Sequence, residues 1–130
     1  IEIGKAHLLK NGTKTAVLST GFIGNNVSLA LKNLNSSEIA HYDFGFIKPL
    51  DEKLLHKIFS SFDNIITIED GTIKGGFGSA IVEFASEKNY SKSIKTLGIP
   101  DHFIEHGTVE ELQKICKIDV KSIENLFLNY

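Results

Sequence analysis

The residues with the most chemical promise lie in 69–84, EDGTIKGGFGSAIVEF, where an acidic pair meets four glycines and then an apolar run of helical spacing. Two chemistries use such a run. A glycine-rich loop opening a helix cradles phosphate, because free amides and the helix dipole both favour an anion. Paired carboxylates share a proton in acid–base catalysis. Neither pattern is complete. Gly71 and Gly76 have the spacing of a P-loop, but Phe77 and Gly78 stand where Lys and Ser or Thr are needed. Neither glycine opens a dinucleotide G-x-G-x-x-G. Glu69 and Asp70 end an apolar strand, where successive side chains point to opposite faces, so they form no dyad. What remains is an amide-lined corner, a weak anion site near Gly76 and Ser79, with Glu69 anchoring the turn by hydrogen bonds. Glu69, Asp70, Gly75, Gly76, Gly78 and Ser79 are thus expected to form a structural or interface turn, whose glycines let the backbone pass close to a neighbouring element or subunit.

Residues 102–106, HFIEH, match the H-x-x-E-H pattern of one zinc peptidase class. That chemistry needs both histidines on one stable helix, with a third ligand. Gly107 follows at once and Thr108 starts a new capped helix, so zinc is not expected there. His7, His41 and His56 lack metal-like spacing, and no G-x-S-x-G elbow occurs. Cys116, the sole cysteine, can form no internal disulfide. It falls on an expected apolar helix face with Leu112 and Ile115, as a small buried hydrophobe. No catalytic, cofactor-binding or metal residue is assigned.

Composition narrows the function classes. A net charge of −2 gives no basic footprint for nucleic acid or an anionic membrane. All 14 basic residues are lysine, so the planar fork that best grips phosphate is missing. No apolar run approaches the roughly 20 residues of a membrane span, and no secretory leader is visible at the start. One domain is expected over residues 1–130. The chain starts at Ile1 and contains no Met, so a fragment of a longer polypeptide is expected.

The elements that must position these residues alternate. Asn11-Gly12 is a strong hairpin signal, pairing residues 6–9 antiparallel with 15–19. Ile23, Val27, Ala30, Leu31 and Leu34 share a helical face. Residues 39–43 read as a strand. Leu54, Leu55, Ile58, Phe59 and Phe62 form a second helical face, with Asp51 as its cap. Residues 64–69 are an apolar strand, Ala80, Ile81, Phe84 and Ala85 a third face, and 93–97 the next strand. Thr108 and Glu111 make a capping box, and Asp119 caps a last helix bearing Val120, Ile123, Leu126 and Phe127. Such alternation predicts a three-layer α/β/α sandwich around a five-stranded, mostly parallel sheet with one antiparallel edge strand. Gly21, Gly45, Gly71 and Gly98 each follow a strand closely, lining the carboxyl edge where open α/β sheets bind ligands. Short strand-to-helix turns need glycine for conformational reasons alone.

Three blocks carry a family resemblance: HYDFGFIKPLDEKLL (41–55), ITIEDGTIKGGFGSAIVEF (66–84) and LGIPDHFIEHGT (97–108). Together they resemble the C-terminal domain of 1-deoxy-D-xylulose-5-phosphate synthase, a thiamine-diphosphate enzyme of the transketolase type. The KPLD and GGFGS blocks also occur in the C-terminal domains of transketolases and 2-oxo acid dehydrogenases, which remain alternatives; the third block is the more discriminating. The resemblance implies four parallel strands and one antiparallel strand. It implies condensation of pyruvate with glyceraldehyde 3-phosphate and release of CO2, feeding isoprenoid, thiamine and pyridoxal synthesis. Thiamine diphosphate and Mg2+ would sit in the N-terminal and middle domains of a cytoplasmic homodimer. Their motifs are not in this chain, which is expected to be inert alone and to brace the dimer. A small-ligand regulatory module at the glycine edge is the competing expectation. Gly45 departs from the family, which usually has Arg there.

Overall fold

The computed structural model describes residues 6–45, 50–72, 76–99 and 116–130. Five strands form one sheet: β1 (His7–Lys10), β2 (Thr15–Thr20), β3 (Ile39–Asp43), β4 (Asn64–Thr72) and β5 (Ser93–Ile99). The helices are α1 (Gly24–Leu34), α2 (Glu52–Ser61), α3 (Phe77–Glu87) and α4 (Val120–Phe127). The strand order is β1-β3-β2-β4-β5, with β2 through β5 parallel and β1 antiparallel on one edge.

Strand alternation sends side chains to two cores. Ala16, Leu18, Ala40 and Ile65 pack with Leu55, Ile58 and Phe59 of α2 and Ile81 and Phe84 of α3. Val17, Ile39, Ile66 and Ile68 pack with Val27 and Leu31 of α1 and Ile123 and Phe127 of α4. A sheet buried on both faces needs strands apolar on both faces. The TAVLST of β2, buried along nearly its whole length, supplies this at the centre. The expected caps are in place. Asp51 accepts from the Leu54 amide at 3.2 Å and Asp119 from the Ser122 amide at 3.4 Å.

Two expectations are corrected. β1 does not pair with β2 as a hairpin; it lies antiparallel on the far side of β3, with His7 opposite Asp43 and Leu8 opposite Tyr42. The connection instead passes the amino end of β3. There the amides of Thr13, Lys14 and Thr15 all donate to the Glu38 carbonyl, at 3.2, 2.9 and 3.1 Å. A Cβ on Gly12 would stand 2.3 Å from the Ala40 nitrogen, so the glycine is there for this close passage. This route frees both edges of β2 for parallel neighbours. Second, Gly71 and Gly98 lie inside β4 and β5 rather than after them, because β4 runs on past an irregularity to pair Thr72 with Ile99. Of the four strand-end glycines, Gly21 turns the chain with a left-handed φ of 87°. The H-x-x-E-H residues 102–106, where zinc is not expected, and the capping box at 108–111 lie outside the described residues.

Candidate functional site

The Glu69 corner is built by β4 and the start of α3. Glu69 is on the α2/α3 side of the sheet together with Thr67, two residues earlier, and it is buried. Its Oε1 accepts from the Phe77 amide at 3.0 Å and its Oε2 from the Gly78 amide at 2.7 Å. These amides open α3, and Gly76, the capping residue, has no side chain to satisfy them. A helix start leaves such donors orphaned. Here a strand carboxylate satisfies two of them and brings negative charge to the positive end of the helix dipole. Burial pushes the carboxyl above the ordinary carboxylate range, while the Gly78 and Phe77 amides pull it back.

Gly78 permits this approach. A Cβ there would meet Thr67 Oγ1 at 2.9 Å, Thr96 Cγ2 at 3.1 Å and Glu69 Oε2 at 3.2 Å. Thr67 Oγ1 is itself buried without a hydrogen-bond partner. Of the residues expected to form the turn, Glu69, Gly76 and Gly78 come together. Ser79 is half-buried in the first turn of α3, Asp70 continues β4, and Gly75 lies outside the described residues. The corner does not suit a diphosphate: two of its outward amides already hold Glu69, whose charge would repel one. Among the described residues no group of three or more His, Cys, Asp or Glu side chains converges as a metal site.

A second polar pair had no signal in the sequence, because its members are 22 positions apart. Ser19 at the end of β2 and His41 on β3 meet beneath α1, with Ser19 Oγ and His41 Nε2 2.7 Å apart. Both are buried. Burial lowers the His41 pKa from 6.5 to about 4, so the ring is neutral near pH 7. A Cβ on Gly24 would lie 3.1 Å from Ser19 Oγ, so the start of α1 closes over the pair. The arrangement has the atoms of a nucleophile and a base, but both side chains are buried. It is a satisfied buried polar contact.

A cavity of about 280 Å³ between β1 and α1 has His41 in its wall, along with Leu9, Lys10 and Leu31. The Lys10 ammonium is directed at the carbonyls of Ser36, Ile39 (2.9 Å) and Asn11 (3.2 Å). A cavity of about 510 Å³ lies between β5 and α4, edged by Lys95, Leu97 and Lys117. Both sit on the α1/α4 face. His56 is spent on packing: its Nδ1 is 2.7 Å from the Tyr90 hydroxyl and its ring lies edge-on to Phe84. Cys116 stands in a turn rather than on a helix, half-buried against the α1/α4 core, and burial raises its thiol pKa. Among the described residues, nothing lies within 4 Å of where a Cβ on Gly45 would be. No helix among the described residues is long and apolar enough to cross a membrane.

Comparison with known proteins fits this geometry. The chain is 48% identical over 126 residues to the 1-deoxy-D-xylulose-5-phosphate synthase of Bacteroides thetaiotaomicron, covering 95% of this chain and 20% of that protein. It is 46% identical over 131 residues to the synthase of Cytophaga hutchinsonii, covering 99% of this chain and 21% of that protein. The chain thus spans about a fifth of the length of these curated relatives. Among solved structures, one described as "Split gene transketolase, inactive beta4 tetramer" superposes with a TM-score of 0.87 at 24% identity. That match covers 99% of this chain and 43% of the other, and bears on the fold. The sequence also matches the family described as "Transketolase, C-terminal domain" over residues 4–123. With its parallel sheet, antiparallel edge strand and glycine-opened third helix, this chain belongs to the transketolase C-terminal domain family.

Proposed function

We propose that this chain is the C-terminal domain of a 1-deoxy-D-xylulose-5-phosphate synthase, residues 1–130 being one domain of a longer thiamine-diphosphate-dependent transferase. The observation that carries the reading is identity of nearly half the residues with curated synthases along almost the whole chain. The names those relatives bear favour it over a transketolase or a 2-oxo acid dehydrogenase. In the complete enzyme, pyruvate and glyceraldehyde 3-phosphate condense with loss of CO2. Thiamine diphosphate, held with Mg2+ in the N-terminal and middle domains, supplies the electron sink for the decarboxylated fragment.

This domain contributes structure to that machine. Glu69, with Gly76 and Gly78 opening the helix, holds the start of α3 against β4, and so fixes a rigid block for neighbouring domains in a cytoplasmic homodimer. The test is to express the complete open reading frame and supply pyruvate, glyceraldehyde 3-phosphate, thiamine diphosphate and Mg2+. Release of CO2 with formation of the five-carbon ketose phosphate is expected. Two-carbon transfer between sugar phosphates without CO2 release would reassign the enzyme to the transketolases.

A further inference from the structure

Phe22 is 86% exposed, the most exposed of the large apolar side chains among the described residues. Its backbone is not loose. Gly21 before it holds φ at 87°, and Ile23 after it is buried in the α1/α4 core. The Gly24 amide donates to the Gly21 carbonyl at 3.3 Å and the Asn25 amide to the Phe22 carbonyl at 3.0 Å. An aromatic ring is therefore held outward on a fixed turn, directly beyond the central strand β2. Rigid, projecting aromatics are the residues that most often anchor interfaces.

The chain also enters the domain at this edge. β1 is antiparallel, so its first residue, His7, lies opposite Asp43, the last residue of β3. The Ala6 amide just before it donates to Asp51 Oδ2 at 3.0 Å, at the start of α2. Ser19 of β2 is in register with Asp43, and its carbonyl accepts from the Phe44 amide at 2.8 Å. The point of entry and the Phe22 turn thus lie one strand spacing to either side of β3, at the same end of the sheet. The matched family is a C-terminal domain, and the chain covers only 20% of the relatives' length. Most of such a polypeptide comes before residue 6 and arrives here. Leu8 and Leu9 on β1, Leu29 on α1, Val82 on α3 and Leu128 after α4 are exposed singly on other surfaces, as is ordinary for a folded domain.

We propose that the Gly21–Phe22 turn at the carboxyl end of β2 is a docking point for the preceding part of the same polypeptide, with the Phe22 ring seated in an apolar pocket of that part. This rests on the reading above that the chain is the C-terminal portion of a longer protein.

The test is hydroxyl-radical footprinting of the full-length protein, read by mass spectrometry. Each rate is compared with that of the same residue in the urea-unfolded protein. The Asn33 amide to Glu124 carboxylate contact, 2.8 Å, runs α4 alongside the later half of α1. Leu128, 70% exposed, therefore lies toward the opposite edge and serves as the reference. Phe22 is expected to oxidise several-fold more slowly than when unfolded, while Leu128 stays near its unfolded rate. Equal, unprotected rates at both would overturn the proposal. Protection that vanishes on dilution to monomers would assign the pocket to a second copy, which also overturns it. Phe22→Ser, which removes little packing within this domain, should speed proteolytic release of the C-terminal fragment. An unchanged rate of release counts against docking. A full-length protein that protects Phe22 but makes another product refutes the synthase reading alone. Synthase activity with Phe22 bare refutes docking alone.

Discussion

At the scale of single residues, Glu69 carries the most weight. A carboxylate receiving two amide hydrogen bonds cannot be replaced by an amide side chain, whose nitrogen would face a donor. Charge-assisted hydrogen bonds contribute about 1.5–3 kcal/mol. Glu69→Gln should therefore lower unfolding free energy by about 2 kcal/mol in urea titrations at neutral pH. A change within measurement error would mean the corner is held by packing alone. His41 gives a pH-dependent signature. Its folded pKa is about 4, below the ordinary 6.5 of an unfolded chain. Between those values the unfolded state binds more protons, so stability rises with pH. The contribution is complete above pH 6.5 and is lost as pH falls toward 4. The full span corresponds to about 3 kcal/mol. His41→Gln should flatten that part of the stability–pH curve relative to the native sequence, in urea titrations run at stepped pH. Parallel curves would mean that His41 titrates normally in the fold.

At the scale of elements, two close approaches set the architecture. At Gly12 an added Cβ would strike the backbone of Ile39 and Ala40, which cannot rotate away. Gly12→Ala should cost about 3 kcal/mol, the upper part of the usual overpacking range, and loosen β1 from β3. Amide exchange along β1 would report it. At Gly78 the obstacles are side chains, chiefly the Thr67 hydroxyl at 2.9 Å. Thr67 is a short side chain on a central strand and has little room to give. Gly78→Ala should cost about 1–2 kcal/mol, because the clash outweighs the gain in helix propensity. Gly45→Ala is the internal comparison. With nothing among the described residues within 4 Å, it should stay within about 0.5 kcal/mol of the native sequence in the same denaturation assay.

At the scale of the whole molecule, the domain is a sheet with helices on both faces. Its prominent polar groups point inward, Glu69 to a helix start and His41 to Ser19. Its projecting apolar anchor, Phe22, points away from both cores. That distribution is what the proposed supporting role calls for. Titration calorimetry of the 130-residue chain with thiamine diphosphate and Mg2+ should give no saturable heat. Micromolar binding would overturn the reading of the Glu69 corner as an internally closed turn.

The sequence by itself determined the layers, the capped starts of α2 and α4, and the hydrogen bonding of Glu69 to the turn that follows it. Those depend on local rules: period 3.6 on α1 to α4, side-chain caps at Asp51 and Asp119, and a carboxylate just ahead of a glycine-opened helix. The three family blocks were legible for the same reason, being contiguous. Tertiary structure alone decided that β1 crosses to the far side of β3. Asn11-Gly12 suits a hairpin locally, and only the advantage of seating β2 between two parallel neighbours selects the longer path. It alone joined Ser19 to His41 and turned Phe22 outward. Those outcomes depend on which strands become neighbours, and a linear pattern of apolar and polar residues does not encode which strand lies beside which.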